Sequence, residues 1–464
     1  MALDLVIREL SEQPSGGGTF PIRWKVELST GNSVIEAIVN DPFTSEPLKN
    51  DAPEKELSWY LEEHIRQPYE TLRANKTTKL LEEYGRLLAD QLYQTGVFTS
   101  HTHVRIHIRS AINHSDDRSL ERLHWEVLEN VSLWPPESSI QSVTITRCPG
   151  RIVMPTNPNE ANKRQKQGTF RVLLISWRPK PVKNTDCQLV LSGPLVALID
   201  HLSRTNPGLN IRLHILRPPT WEHFCSHLAE HKFEYDLVHF DTHWSIQLGH
   251  SAILFGCLQA DNKSIDLPDW IKAEDVGKAL ALAGVQQVVF SCEPTGVRNP
   301  ETGAKLAEIL LQLGIESVLE MAYKVGDDAL KIFLTSFYIS LVRGSTFGEA
   351  TQIGRQALRQ SKSRKASHRF NVELSDYIAP VLYTSVPTSS GSSIPLNDAT
   401  QPDVTRAIEL TDRSFPLMPL GRDYDLVAME MLLTANRMLI VHGQGGVGKS
   451  KLLRYACQWW KLSG

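Results

Sequence analysis

The chain is poor in cysteine: six occur in 464 residues, and no two stand in a CxxC pair. Thiols scattered in this way fit neither a disulfide framework nor a zinc site, and they predict a reducing, cytoplasmic setting. Long apolar runs are also missing. None approaches the roughly 20 residues that a helix needs to span a bilayer. The opening MALDLVIREL is broken by Asp4, Arg8 and Glu9, so it lacks the apolar core of a signal peptide. Neither charge is in excess, since 49 Lys and Arg face 52 Asp and Glu for a formal charge of -3. A basic footprint for gripping phosphate backbones is therefore absent, and nucleic acid is not an expected partner. No internal repeat is evident, which argues against a solenoid.

What remains is enough chain for two or three domains. Strand patterns over 20–28 and 33–39 flank Thr30-Gly31-Asn32 and predict a hairpin. Helical patterns follow over 54–66 and 77–93, then alternating strands over 104–108 and 143–146. Residues 148–168 hold proline, asparagine and basic side chains with no apolar period, the composition of a flexible connection. Beyond it, apolar strands over 170–176, 211–216, 237–240, 288–291 and 317–321 alternate with helices over 193–203, 221–231, 273–283 and 304–313. That rhythm predicts an α/β fold, a mostly parallel sheet with helices on both faces. A helix over 326–342 carries Ala329, Phe333, Phe337 and Leu341 in steps of four, and a strand over 378–383 closes the unit. The expected division is an α+β part over 1–148, the α/β domain over 169–384, a linker over 385–412 and a third unit over 413–464.

Two residues at strand ends carry chemistry. DLVHFDTH ends at His243 and QVVFSC ends at Cys292, 49 residues later. A histidine about 50 residues before a cysteine nucleophile is the habit of caspase-like proteases. In a parallel sheet, functional groups gather at the carboxyl ends of strands. There an imidazole can take a thiol proton and return it to a leaving amine. The plainer reading is a buried cysteine that packs at the end of a strand. His239, Asp241 and His243 share a face at period two and suggest metal ligands. A catalytic zinc wants three ligands in tetrahedral array, and no further His or Cys cluster completes such a set, so no metal is expected there.

Near the end, an apolar run over 438–441 leads into GQGGVGKS and a helical start, KLLRYACQWW. This satisfies the phosphate-loop pattern in its strand, loop, helix context. Gly443, Gly445, Gly446 and Gly448 let backbone N–H groups wrap phosphates, Lys449 reaches the outer ones, and Ser450 can ligate Mg²⁺. ATP or GTP with Mg²⁺ is the implied ligand.

DLVHFDTHW (236–244) and VVFSCEPTG (288–296) resemble the histidine and cysteine motifs of the CHAT family, caspase-like peptidases related to separases and caspases. LHWEVLEN (123–130) upstream and the segment 314–350 downstream are similar to further parts of that family, so the resemblance covers about 77–383. It implies a caspase-like fold and a protein substrate. His243 becomes the general base and acid and Cys292 the nucleophile, with the backbone N–H groups of Cys292 and Trp244 forming the oxyanion hole. The family usually carries glycine on both sides of its histidine, where this chain has Thr242 and Trp244. Asp241 is a candidate for orienting the imidazole or lining the substrate groove. Glu320, ending the next strand, is a candidate acid for a basic residue before the cut, against the simpler reading of a surface glutamate. PLGRDYDLVAMEMLL (419–433) resembles the entry to NACHT and NB-ARC modules, which implies the first βα unit of a P-loop NTPase in an NLR-like receptor. Such a receptor oligomerises with nucleotide and acts in immunity or regulated cell death, while so short a unit is not expected to hydrolyse nucleotide by itself. The alternatives are a catalytically inactive CHAT-like scaffold and a nucleotide switch whose N-terminal region only docks partners.

Overall fold

A computed structural model describes residues 2–10, 22–31, 33–45, 52–98, 101–110, 119–149, 169–177, 210–247, 249–258, 265–292, 294–295, 300–385 and 422–463. The N-terminal part supplies β1 (Ala2–Glu9), β2 (Arg23–Ser29), β3 (Val34–Asn40), α1 (Pro53–Glu62), α2 (Thr71–Tyr93), β4 (His103–Arg109) and β5 (Ser142–Cys148). Next come β6 (Thr169–Trp177), β7 (Asn210–Ile215), α3 (Trp221–Glu230), β8 (Leu237–Thr242), β9 (Trp244–Gln247), β10 (His250–Leu258), β11 (Ile265–Lys272) and α4 (Ala273–Leu282). The chain continues through β12 (Gln287–Phe290), β13 (Pro294–Thr295), α5 (Pro300–Gln312), β14 (Ser317–Met321), α6 (Asp327–Val342) and α7 (Phe347–Gln360). A small hairpin of β15 (Ser363–Lys365) and β16 (Asn371–Glu373) precedes β17 (Pro380–Thr384), and α8 (Asp423–Ala435) and α9 (Lys449–Ser463) follow.

Eleven strands form one sheet in the order β3-β2-β1-β4-β5-β17-β14-β12-β8-β6-β7. Its pairings are parallel except in the β1-β2-β3 meander and between β14 and β17, so the expected mostly parallel sheet is present. The sheet runs across the expected division between 1–148 and 169–384, because β17 lies between β5 and β14. β1, hidden in the charged opening segment, pairs with β4 over seven residues. The expected helix over 193–203 and the linker over 385–412 lie outside the described residues, apart from Ser385.

Both faces are covered. Successive side chains on a strand point to opposite sides, and on β8 Phe240 meets Phe224 of α3 while His239 stacks on Tyr338 of α6. A second sheet, β11-β10-β9-β13, sits over the ends of β8 and β12. β9 and β13, four and two residues long, are too short to show a period in the sequence.

A buried charge cluster ties the N-terminal strands to the rest. Arg147 of β5 is fully buried and donates to Glu126 at 2.9 and 2.6 Å and to the Leu123 carbonyl at 2.8 Å. Burial works against its charge, yet the Glu126 and Glu121 carboxylates outweigh that and raise its pKa. Arg355 of α7 donates to Glu129 at 2.5 Å and to the Pro380 carbonyl of β17 at 2.8 Å. The LHWEVLEN segment thus supplies acids to two buried arginines. Removing one partner of such a pair costs about 3–5 kcal/mol, because an uncompensated charge is left behind.

Residues 438–441 pair with no strand among the described residues, so the expected apolar strand before the phosphate loop is an unladdered segment with Met438 76% and Ile440 75% exposed. A strand needs a neighbour to satisfy its backbone. The apolar stripe expected on α6 is buried, but so are Leu330, Leu334 and Ile339 around it, because α7 packs on that helix as well. No helix among the described residues is long and apolar enough to cross a membrane.

The contact of α6 with α7 is close at Gly354, where an added Cβ would lie 2.6 and 2.7 Å from the Phe333 ring. Alanine gains up to about 1 kcal/mol in helix propensity. Overpacking against a fully buried ring costs about 1–3 kcal/mol. Gly354→Ala is expected to destabilise the protein by a net of about 1–2 kcal/mol in urea unfolding, and unchanged or higher stability would refute this packing.

Candidate active site

β8 and β12 run parallel with Phe240 level with Phe290, and beyond a break β9 and β13 run parallel with Trp244 level with Pro294. The same 50-residue offset therefore holds before and after His243 and Cys292. His243 lies one residue past the position level with Cys292, and a ladder spacing of about 5 Å keeps the two strand ends side by side. Both residues stand at the carboxyl edge of the sheet.

Asp241 is the hub of this edge. Its carboxylate, 1% exposed, accepts from Ser176 Oγ of β6 at 2.9 Å, from Ser291 Oγ at 3.3 Å and from Cys292 Sγ at 3.4 Å. The structure thus gathers Asp241 with the thiol and two serines. Ser176 and Ser291 were not singled out from sequence, although each sits at a strand's carboxyl end, which is the signal that could have found them. Cys292 itself is 1% exposed, and His243 is half-buried.

The backbone around His243 is clipped to β10. Leu254 N–H donates to the His243 carbonyl at 2.9 Å, and Thr242 Oγ1 donates to the Leu254 carbonyl at 2.7 Å. Thr242 therefore has a partner of its own. Trp244, on the other side, pairs with Ile253 and Pro294, and its indole is fully buried within the main core. A side chain held there does not stand in an open groove. His239, part of the metal alternative, shares a 2.8 Å hydrogen bond with the Tyr338 hydroxyl beneath α6. Its ring is engaged on the sheet face that Asp241 shares, whereas His243 follows the strand's last residue.

The phosphate-loop pattern lies elsewhere. Its loop opens α9, which packs against the edge strand β7 through Leu213 and Ile215. Gly443, Gly446 and Gly448 adopt φ of 154°, 83° and 89°, a region that favours glycine. Gly445 and Ser450 are exposed. Lys449 Nζ donates to the Gly443 and Gln444 carbonyls at 2.8 and 2.7 Å, and Arg422 reaches the Val447 carbonyl at 2.9 Å.

A family model described as "CHAT domain" matches residues 162–460. No curated protein sequence gives a significant match. Among solved structures, the complex of the pro- and mature domains of RgpB from Porphyromonas gingivalis is similar at 10% identity and TM-score 0.35, covering 75% of this chain and 79% of that one. The separase–securin complex of Saccharomyces cerevisiae is similar at 12% identity and TM-score 0.31, covering 64% of this chain and 16% of that one.

Glu320 is not at a pocket mouth or on the surface. It is 1% exposed on β14 and accepts from the Tyr383 hydroxyl at 3.3 Å, near the Arg147 cluster. Its place at a strand end gave no sign that β17 would cover it. Burial pushes its carboxyl up to about 8, against the pull of Tyr383 and Arg147. Unfolding returns it to about 4.3, so between these values the folded state holds a proton that the unfolded state has lost. Its contribution is fully present below the unfolded value and declines by about 1.4 kcal/mol per pH unit until the folded value is passed. Glu320→Gln should remove this slope. Urea unfolding at pH 5 and pH 8 checks it, and parallel pH dependence in the two proteins would refute it.

Proposed function

Because the chain belongs to the CHAT domain family, we propose that it is a caspase-like cysteine endopeptidase that cleaves a protein substrate through His243 and Cys292. The observation that carries this reading is the shared register of β8 with β12 and β9 with β13, which supports a dyad at one sheet edge. His243 takes the thiol proton as the Cys292 sulfur bonds to the scissile carbonyl carbon, whose oxygen becomes an oxyanion. Backbone N–H groups of Cys292 and Trp244 receive that charge. The carbon–nitrogen bond then breaks, the imidazolium gives its proton to the leaving amine, and water activated by the same imidazole releases the acyl group. Asp241, which accepts a hydrogen bond from the thiol, holds Cys292 at its starting position until the S–H turns from the carboxylate to the imidazole.

A second reading, a CHAT-like interaction module without catalysis, is favoured by the 1% exposure of Cys292. An acylating cysteine probe separates the two. The peptidase reading expects labelling of the wild-type protein that disappears in both Cys292→Ala and His243→Ala, while labelling indifferent to His243 would sink it.

We further infer that residues 443–450 form the phosphate loop of a NACHT- or NB-ARC-like unit. The chain then serves as the cytoplasmic effector of an NLR-like receptor in immunity or regulated cell death, switched by nucleotide-dependent oligomerisation. The left-handed glycines and the loop-bound Lys449 support this reading. The loop's N–H groups and Lys449 would hold the phosphates of ATP or GTP, and Ser450 would hold Mg²⁺. The nucleotide would supply a phosphate whose presence or absence the loop senses. Lys449→Ala is expected to weaken binding of a fluorescent ATP analogue by at least about tenfold, which is 1.4 kcal/mol. Equal binding by the two proteins would overturn the assignment.

A further inference from the structure

We propose that Arg217 is a positioning residue for His243, acting as the joint between the phosphate-loop unit and the candidate active site. Glu430 of α8 accepts from Trp459 Nε1 at 2.7 Å and Trp460 Nε1 at 3.0 Å, both on α9, the helix that opens at Lys449. The same carboxylate oxygen is 3.4 Å from Arg217 Nε, and the Arg217 guanidinium lies 5.2 Å from the centre of the Trp459 ring. One arginine is thus gripped by both helices of that unit. Burial lowers the pKa of Arg217 and raises that of Glu430, so each charge relies on the other.

From Arg217 the connection to the active site is covalent, then hydrogen-bonded. Two residues on, the Pro219 carbonyl accepts from Gly256 N–H of β10 at 3.0 Å, and Thr220 bridges Gly256 in parallel. Two residues back along β10, Leu254 donates to the His243 carbonyl and accepts from Thr242. A displacement of Arg217 therefore moves the strand that clips the histidine in place. Packed and hydrogen-bonded elements of this kind can transmit a change of position.

This inference rests on the dyad reading, and the test separates the two. Alkylation of Cys292 in the full 464-residue chain is followed by mass spectrometry from pH 6 to pH 10 in wild type, Glu430→Gln, Arg217→Met, Arg217→Lys and His243→Ala. Loss of the histidine's placement slows alkylation near pH 7, and the difference shrinks as rising pH ionises the thiol without the imidazole's help. Glu430→Gln and Arg217→Met are expected to slow the neutral rate about fivefold, with Arg217→Lys close to wild type. Glu430→Gln keeps the shape of the side chain, so it serves if Arg217→Met fails to fold. If His243→Ala changes the profile and Glu430→Gln does not, the joint is overturned while the dyad stands. If His243→Ala leaves the profile unchanged, the dyad reading falls and this inference falls with it.

Discussion

One register, kept on both sides of a break in two neighbouring strands, is the constraint on which the candidate site depends. β8 and β12 end at Thr242 and Phe290, and β9 and β13 resume the pairing with the same offset. His243 and Cys292 lie between the two ladders. The large sheet positions the strand ends, and the small sheet prevents the segments beyond them from diverging. Phe240 and Phe290, stacked at 5.0 Å between their ring centres just below the break, anchor the two strands to each other.

The polar groups near this edge are segregated by the alternation of strand side chains. His239 and Asp241 fall on the face covered by α6, where one meets a tyrosine and the other two hydroxyls and a thiol. Glu320 belongs to a different environment, with Tyr383 and Arg147 among its neighbours. Three carboxyl or imidazole side chains that look alike in a sequence thus have separate tasks, set by which face they occupy and what covers it. Asp241 accepts from three donors, whereas Glu320 accepts from one hydroxyl and burial raises its pKa.

Much of the α/β core is legible in the sequence for a physical reason. β6, β8, β12 and β14 are buried on both faces, so apolar residues predominate on both of their sides, and the helices between them keep their own period. His243 and Cys292 stand out because each follows the end of such a strand. β1 is less visible, since Asp4 and Arg8 alternate with Leu3, Leu5 and Ile7 in a short charged opening segment. The partners of Asp241 and the reach of β10 to His243 depend on contacts between residues far apart in sequence, which periodicity does not encode. Glu320 is misread for a related reason, because its cover comes from β17, more than 60 residues later.

The place of β17 also bears on how the molecule is made. In the large sheet, the five N-terminal strands and the five that run from β14 to β7 meet through this strand, which lies between β5 and β14. During synthesis, neither half of the sheet can join the other until Thr384 has been released from the ribosome. Until then β5 and β14 each present an unpaired edge, and the acids of the LHWEVLEN segment lack the carbonyl of Pro380 that helps to seat Arg355. Completion of the sheet is therefore a late, long-range event, and the nascent chain passes through a stage in which both edges must be kept from pairing with other chains.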